Sequence, residues 1–224
     1  MHRPLINGWR LFGWVFALQC AVLAAVALRS DLGQGAVVSS LIALSVQVSV
    51  PWLYLAFAAS AAAQLFPGEI TRWWLRNRRM FGLAYAAGMG WQAVFILWLV
   101  TGHFDYYKEV ANNPYDLAEE IPGYVFLIAM TVTSFAATRR WLRPSRWKLL
   151  HTVGIYYLWG ETWGTYWYYA FYYPDAQPIY HVYYWAGLLA WGLRIAAMYS
   201  RGSAAAQSTA ADAAADGAKR VRTA

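Results

Sequence analysis

Charge and cysteine are scarce in this sequence. Of its 224 residues only 13% are charged, about half the share usual in a soluble domain. Cysteine occurs once, at Cys20, which excludes a disulfide framework and any cluster held by several thiolates. Lysine is nearly absent too, with 3 Lys against 15 Arg. Phosphate-cradling glycine loops, an H-E-x-x-H pair and a Ser/His/Asp order are missing, so phosphoryl transfer, zinc hydrolysis and triad chemistry have no foothold. What fills the space is apolar: 60% of the residues are hydrophobic and 18% aromatic, among them 14 Trp and 17 Tyr. A water-soluble domain of this length could not cover such a core, and a disordered chain would be poor in these residues. The composition therefore predicts an all-α polytopic membrane protein.

A span needs about 20 mostly apolar residues. Six segments approach that length: Trp9 to Leu28, Ala36 to Phe66, Met80 to Thr101, Ile121 to Thr138, Trp147 to Tyr173 and Ile179 to Tyr199. The first is long for a signal peptide and lacks a small-residue cleavage site, so it is read as retained. The second is long enough to tilt, or to kink near Pro51. The expected domain plan is a short N-terminus over 1–8, a six-helix transmembrane bundle over 9–200, and a tail over 201–224. The tail's Ala, Ser, Asp and Gly offer no apolar face, and it is expected to be disordered.

Charge assigns the sides. Arg72, Arg76, Arg78 and Arg79 fall in one connection, and Arg139, Arg140, Arg143, Arg146 and Lys148 in another. Arg3 and Arg10 lie at the N-terminus, and Arg201, Lys219, Arg220 and Arg222 in the tail. The alternate connections hold only Arg29 and Lys108, amid carboxylates. The basic groups serve topology rather than nucleic acid, and the positive-inside rule places both termini in the cytoplasm. Trp73 and Trp74 on one side and Tyr106, Tyr107 and Tyr115 on the other read as interfacial belts. The aromatic run from Trp163 to Tyr173 is deeper than a belt, so some of its rings must pack inside.

Polar residues within hydrocarbon are costly unless paired, which makes them the candidates for function. They are Gln47, Gln92, His151, Thr152, Glu161 and Thr162, with His181 near the outer end of the last span. Glu161 is the sole carboxylate inside a span, about 21 Å along its helix. It would serve as a proton relay or ligand-binding acid, or as a hydrogen-bonding structural partner. His151 lies four residues into the fifth span. It would be an interfacial histidine or an axial haem ligand, and bis-histidine ligation needs a second His at matching depth.

Two motifs carry a resemblance. The third span opens on RNRRMFGL, Arg76 to Leu83, and the fifth on WKLLH, Trp147 to His151, followed by Tyr156, Tyr157, Leu158 and Trp159. Over roughly Ser39 to Ser200 the chain resembles the bacterial ferric reductase-like transmembrane domain superfamily. That resemblance implies six helices, haem b held between the third and fifth, and electron transfer across a bacterial inner membrane from a separate donor protein or a quinol. The family's inner fifth-helix histidine falls on His151. Its third-helix ligand falls on Gln92, with a nearby position on Met89, and its outer fifth-helix histidine on Gly164. One ligand position is kept and the rest are replaced. Two functions follow as expectations. One is an electron-transfer subunit with non-standard haem or bound quinone, using His151, Gln92, Met89 and Glu161 and a redox partner. The other is a haem-less member serving as a membrane ligand-binding or assembly protein.

Overall fold

A computed structural model describes residues 6–111 and 114–222, with side chains described for 6–109 and 121–203. Every regular element among the described residues is helical. Six are long: α1 (Trp9–Ala27), α2 (Gly35–Leu65), α3 (Glu69–Gly102), α4 (Pro114–Val132), α5 (Pro144–Phe171) and α6 (Pro178–Arg222). Short helical turns at Phe104–Tyr106 and Ala136–Arg139 and a π-helical turn at Tyr107–Ala111 join them. Among the described residues α1, α2 and α3 are long and apolar enough to cross a membrane. The later helices draw their apolar surface from Tyr and Trp, whose polar tips lower their hydropathy. Large apolar side chains such as Trp14, Leu18, Leu97, Ile128, Trp185 and Leu189 point outward, each more than half exposed. An exposed apolar surface of this extent suits hydrocarbon rather than water.

The helix ends differ from the sequence reading in three places. The arginine-rich stretch ending at Arg79, expected as a connection, is already helix: α3 starts at Glu69, an acidic residue suited to the positive end of the helix dipole. Thr71 fixes that start, accepting from the Gly68 N–H and donating to the Phe66 carbonyl. The fourth apolar segment stops being α-helix at Val132, six residues before Thr138, and the chain breaks over 133–135. Last, α6 continues to Arg222 where a disordered tail is expected. Alanine, the commonest residue of that stretch, has the highest helix propensity and extends a helix already nucleated by its packed half.

Helices α2 and α3 form the centre. Ser45 and Ser49 on α2 and Ala84 and Gly88 on α3 are all buried and spaced four apart, so small residues face small residues and the backbones approach closely. A Cβ at Gly88 would run into the Ser49 hydroxyl and lie 3.0 Å from the Gln19 amide. Gln19, 1% exposed, donates from Nε2 to the carbonyls of Ala84 (3.3 Å) and Val48 (3.4 Å), tying α1 to both central helices. On α1 the buried residues Leu11, Val15, Gln19 and Leu23 form one stripe at i, i+4 spacing.

Pro51 does not break α2. Its missing N–H leaves the Gln47 carbonyl without its helical donor. The Tyr183 hydroxyl on α6 donates to that carbonyl instead, at 2.8 Å, as a polar group inside a membrane bundle requires. The polarity at position 47 that matters here is thus the backbone's. Around this contact lies the main core, with Phe57, Tyr54, Tyr85, Leu158 and Tyr166 buried between α2, α3, α5 and α6.

The aromatic run of α5 divides as its length suggested. Tyr166 is 3% exposed, and Trp159 and Trp163 stack on each other at 5.5 Å, while Trp167, Tyr168, Tyr172 and Tyr173 stay on the surface. On the opposite side of the bundle from these outward rings, the basic segments gather. The Gly8 N–H donates to Asn77 Oδ1, whose Nδ2 donates to Asn7 and to the Trp73 carbonyl. Arg79 lies over the rings of Trp9 and Phe135, and Arg194 over those of Phe57 and Tyr156. At the far end, the Asp31 carboxyl is held below its usual range by Gln34 and by the Gly33 N–H.

The α2–α3 contact makes a direct prediction. Gly88→Leu should lower the unfolding midpoint of the detergent-solubilised protein, because overpacking of this kind costs about 1–3 kcal/mol. Gly90→Leu, two residues on, should leave it unchanged, since a Cβ there meets nothing within 4 Å. Thermal unfolding of the two variants side by side checks this.

Candidate functional site

Three of the four candidate residues meet. Gln92 on α3 is buried, and its Oε1 accepts from the Tyr124 hydroxyl of α4 at 2.9 Å. The same hydroxyl lies 3.4 Å from the Met89 carbonyl, and the Met89 side chain packs against the main core. Next to Tyr124, Gly123 leaves the room that the Glu161 carboxyl of α5 occupies: a Cβ at Gly123 would fall 3.0 Å from Oε1 and closer still to Oε2. Glu161 also lies within electrostatic reach of Tyr85, which bonds to Thr162. The result is a polar layer of Gln92, Tyr124, Glu161, Tyr85 and Thr162 across α3, α4 and α5. It is set in rings and aliphatic side chains, with Met89 at its edge.

His151 stands apart. It precedes Glu161 by ten residues on α5, which is about 15 Å along the axis. Its Nε2 lies 3.1 Å from the Thr133 hydroxyl, and its ring packs on Trp147 at 4.3 Å. The Trp147 indole donates to the Thr133 carbonyl at 3.0 Å, and the Arg139 guanidinium lies over that indole at 4.5 Å. This arrangement has a local cause. α4 ends at Val132; the N–H groups of Ser134 and Phe135 turn back to the Thr131 and Val132 carbonyls, and the Thr133 carbonyl is left for a side chain. Residues 147 and 151 are one turn apart on α5 and point the same way, so both reach the buried Thr133. Trp147 satisfies its carbonyl and His151 its hydroxyl.

The Thr133 hydroxyl has backbone acceptors of its own within reach, the Ala129 carbonyl at 2.7 Å and the Met130 carbonyl at 3.4 Å. Its bond to His151 runs through Nε2, and which partner donates depends on the tautomer of the ring. Gln92, at the second family ligand position, is likewise turned to Tyr124. Gly164, at the third, brings no side chain, and a Cβ there meets nothing within 4 Å. No group of three or more His, Cys, Asp or Glu able to hold a metal ion occurs among the described residues. Haem iron does not fit these residues as they are arranged: the imidazole at the position the resemblance assigns is bonded to Thr133 through Nε2, and its depth differs from that of Gln92 and Met89.

His181, the other histidine near the bundle's outer part, packs edge-on against Phe171 at 5.5 Å. Residues with equally strong polar roles escaped the sequence reading. Thr133 and Tyr124 lay in a segment read as ordinary span and were not singled out. Asn77 was hidden in an arginine run. Only Gln19 had a visible signal, as the one amide in the first apolar run.

Comparison with known families, with curated proteins and with solved structures finds no match. The ferric reductase-like resemblance therefore stands on its two quoted motifs.

The Thr133 contact is testable. Thr133→Val should lower the unfolding midpoint in detergent, because it removes the polar partner of His151 Nε2, a loss of about 1–3 kcal/mol. Thr133→Ser, which keeps the hydroxyl, should recover most of it. Equal midpoints for all three proteins would show that the bond contributes nothing.

Proposed function

We propose that this chain is an integral membrane protein of ferric reductase-like architecture that has kept the helical bundle and given up the haem. In this reading six helices cross a bacterial inner membrane with both termini in the cytoplasm, and the protein works by binding a membrane ligand or partner rather than by passing electrons. The observation that carries it is the engagement of His151 Nε2 by the Thr133 hydroxyl at 3.1 Å. At the second ligand position, the bond between Gln92 and Tyr124 supports it. These side chains do interior structural work where the family's would hold iron.

The topology draws support from the way basic groups collect. The N-terminal segment is tied to Asn77, Arg79 reaches Phe135, and Arg78 lies within electrostatic reach of Arg194 and His151. Arginines of α3 and α6, with Arg139 after α4, thus share one end of the bundle, as the positive-inside rule asks of a cytoplasmic face.

The competing reading is a transmembrane electron-transfer subunit with non-standard haem b or quinone, fed by a separate redox partner. It requires His151 to leave Thr133 and turn its Nε2 to iron. Absorption spectra of the purified protein, oxidised and then dithionite-reduced, distinguish the two after expression with ample haem. The expected result is a preparation without a Soret band. A Soret band with reduced α and β bands near one haem per chain, abolished in His151→Ala, would overturn the proposal. Topology is checked separately by reporter fusions. A fluorescent reporter active only in the cytoplasm should light up at both ends of the chain, and a periplasm-dependent phosphatase should stay silent at both.

A further inference from the structure

The break after α4 opens a recess of about 480 Å³ at the basic end of the bundle, walled by Arg79, Arg139, Arg140, Ser134 and Trp147 among others. Among the described residues no acidic side chain lines it. Beside it, a second depression of about 400 Å³ runs up the outside of the bundle between α1, α3 and α4. Its floor is the small face of α3, formed by Ala86, Ala87, Gly90 and Ala93, and its walls are apolar. The two share a boundary. Trp9 and Phe135 line the apolar groove and stack on each other at 6.3 Å. The guanidinium of Arg79, which lines the basic recess, sits 5.8 Å from the Trp9 ring and 5.5 Å from the Phe135 ring.

From this junction we infer a binding site for one anionic glycerophospholipid, its phosphate in the arginine recess and an acyl chain in the groove. The occupant must carry negative charge and hydrocarbon in one molecule, because the recess and groove are separated only by a stacked pair of rings. Guanidinium groups suit phosphate, being planar, always charged and able to donate two parallel hydrogen bonds. Arg139 is oriented by the face of Trp147, and Arg79 by Trp9 and Phe135, so two of the three cations are already ordered. An acidic peptide would satisfy the arginines and leave the groove bare, and a zwitterionic lipid would fill the groove and bring no net charge to the recess. The site rests on the membrane reading of the chain and is independent of the haem question.

The test is native mass spectrometry of the full-length protein released from mixed micelles, titrated with dioleoyl phosphatidylglycerol or with dioleoyl phosphatidylcholine. One phosphatidylglycerol should be retained at activation energies that strip phosphatidylcholine. The double variant Arg139→Gln/Arg140→Gln should weaken that retention by about tenfold or more, the scale expected for two cations at a lipid headgroup. Arg139→Lys/Arg140→Lys should keep most of it. Gly90→Leu, which points into open space, should weaken it with the arginines intact. Equal retention of the two lipids by the wild-type protein, a comparison that needs no variant to fold, would overturn the proposal. So would a phosphatidylglycerol preference untouched by the Gln variant. Displacement by inorganic phosphate as effective as by the lipid, with Gly90→Leu silent, would show a free-anion site and overturn it also.

Discussion

Hydrocarbon offers a polar group no partner, so a bond within the protein counts most where one can be made. That constraint accounts for several of the contacts that join the helices. Pro51 removes a donor and Tyr183 replaces it from another helix. Just beyond α4 the Thr133 carbonyl is left over, and the Trp147 indole donates to it. Gln19 reaches across α1 to carbonyls of both central helices. Each of these bonds joins two helices, so satisfying the backbone and assembling the bundle are the same event. Between such bonds, small residues on α2 and α3 let dispersion contacts do the rest.

The same constraint weighs on the reading of His151. A histidine opening the fifth apolar segment in a WxxLH motif invites a haem assignment, and the motif itself cannot say otherwise. What changes the reading is Thr133, eighteen residues earlier in the sequence. Because α4 stops short, Thr133 becomes a helix-end residue with an open carbonyl and a hydroxyl within reach of the Ala129 carbonyl. A tryptophan and a histidine one turn apart are well placed to serve it. The motif that resembles a cofactor site is, in this arrangement, a clasp between α4 and α5.

The break that creates this clasp also creates the basic recess. Had α4 run on to Thr138, Phe135 would sit on a continuous helix, and Ser134 and Ala136 would not wall an opening. The arginines would still crowd this end for reasons of topology. Their arrangement around a recess next to the apolar groove comes from the break.

Composition and the spacing of apolar runs were enough to establish an all-helical chain, its six long helices and, within a few residues, where most of them start. These depend on local propensity and on the period of the apolar pattern, which are written residue by residue. The division of the α5 rings into buried and outward sets was partly legible, since a run that deep exceeds any interfacial belt. Three things were decided only by the tertiary structure. One is the end of α4, which depends on donors from α5. Another is the meeting of Gln92 and Glu161 around Gly123 and Tyr124 while His151 remains a layer away. The third is the continuity of the arginine recess with the apolar groove. Each joins residues from different helices, and the rotation and depth of one helix against another are set by packing, which no single segment of sequence contains.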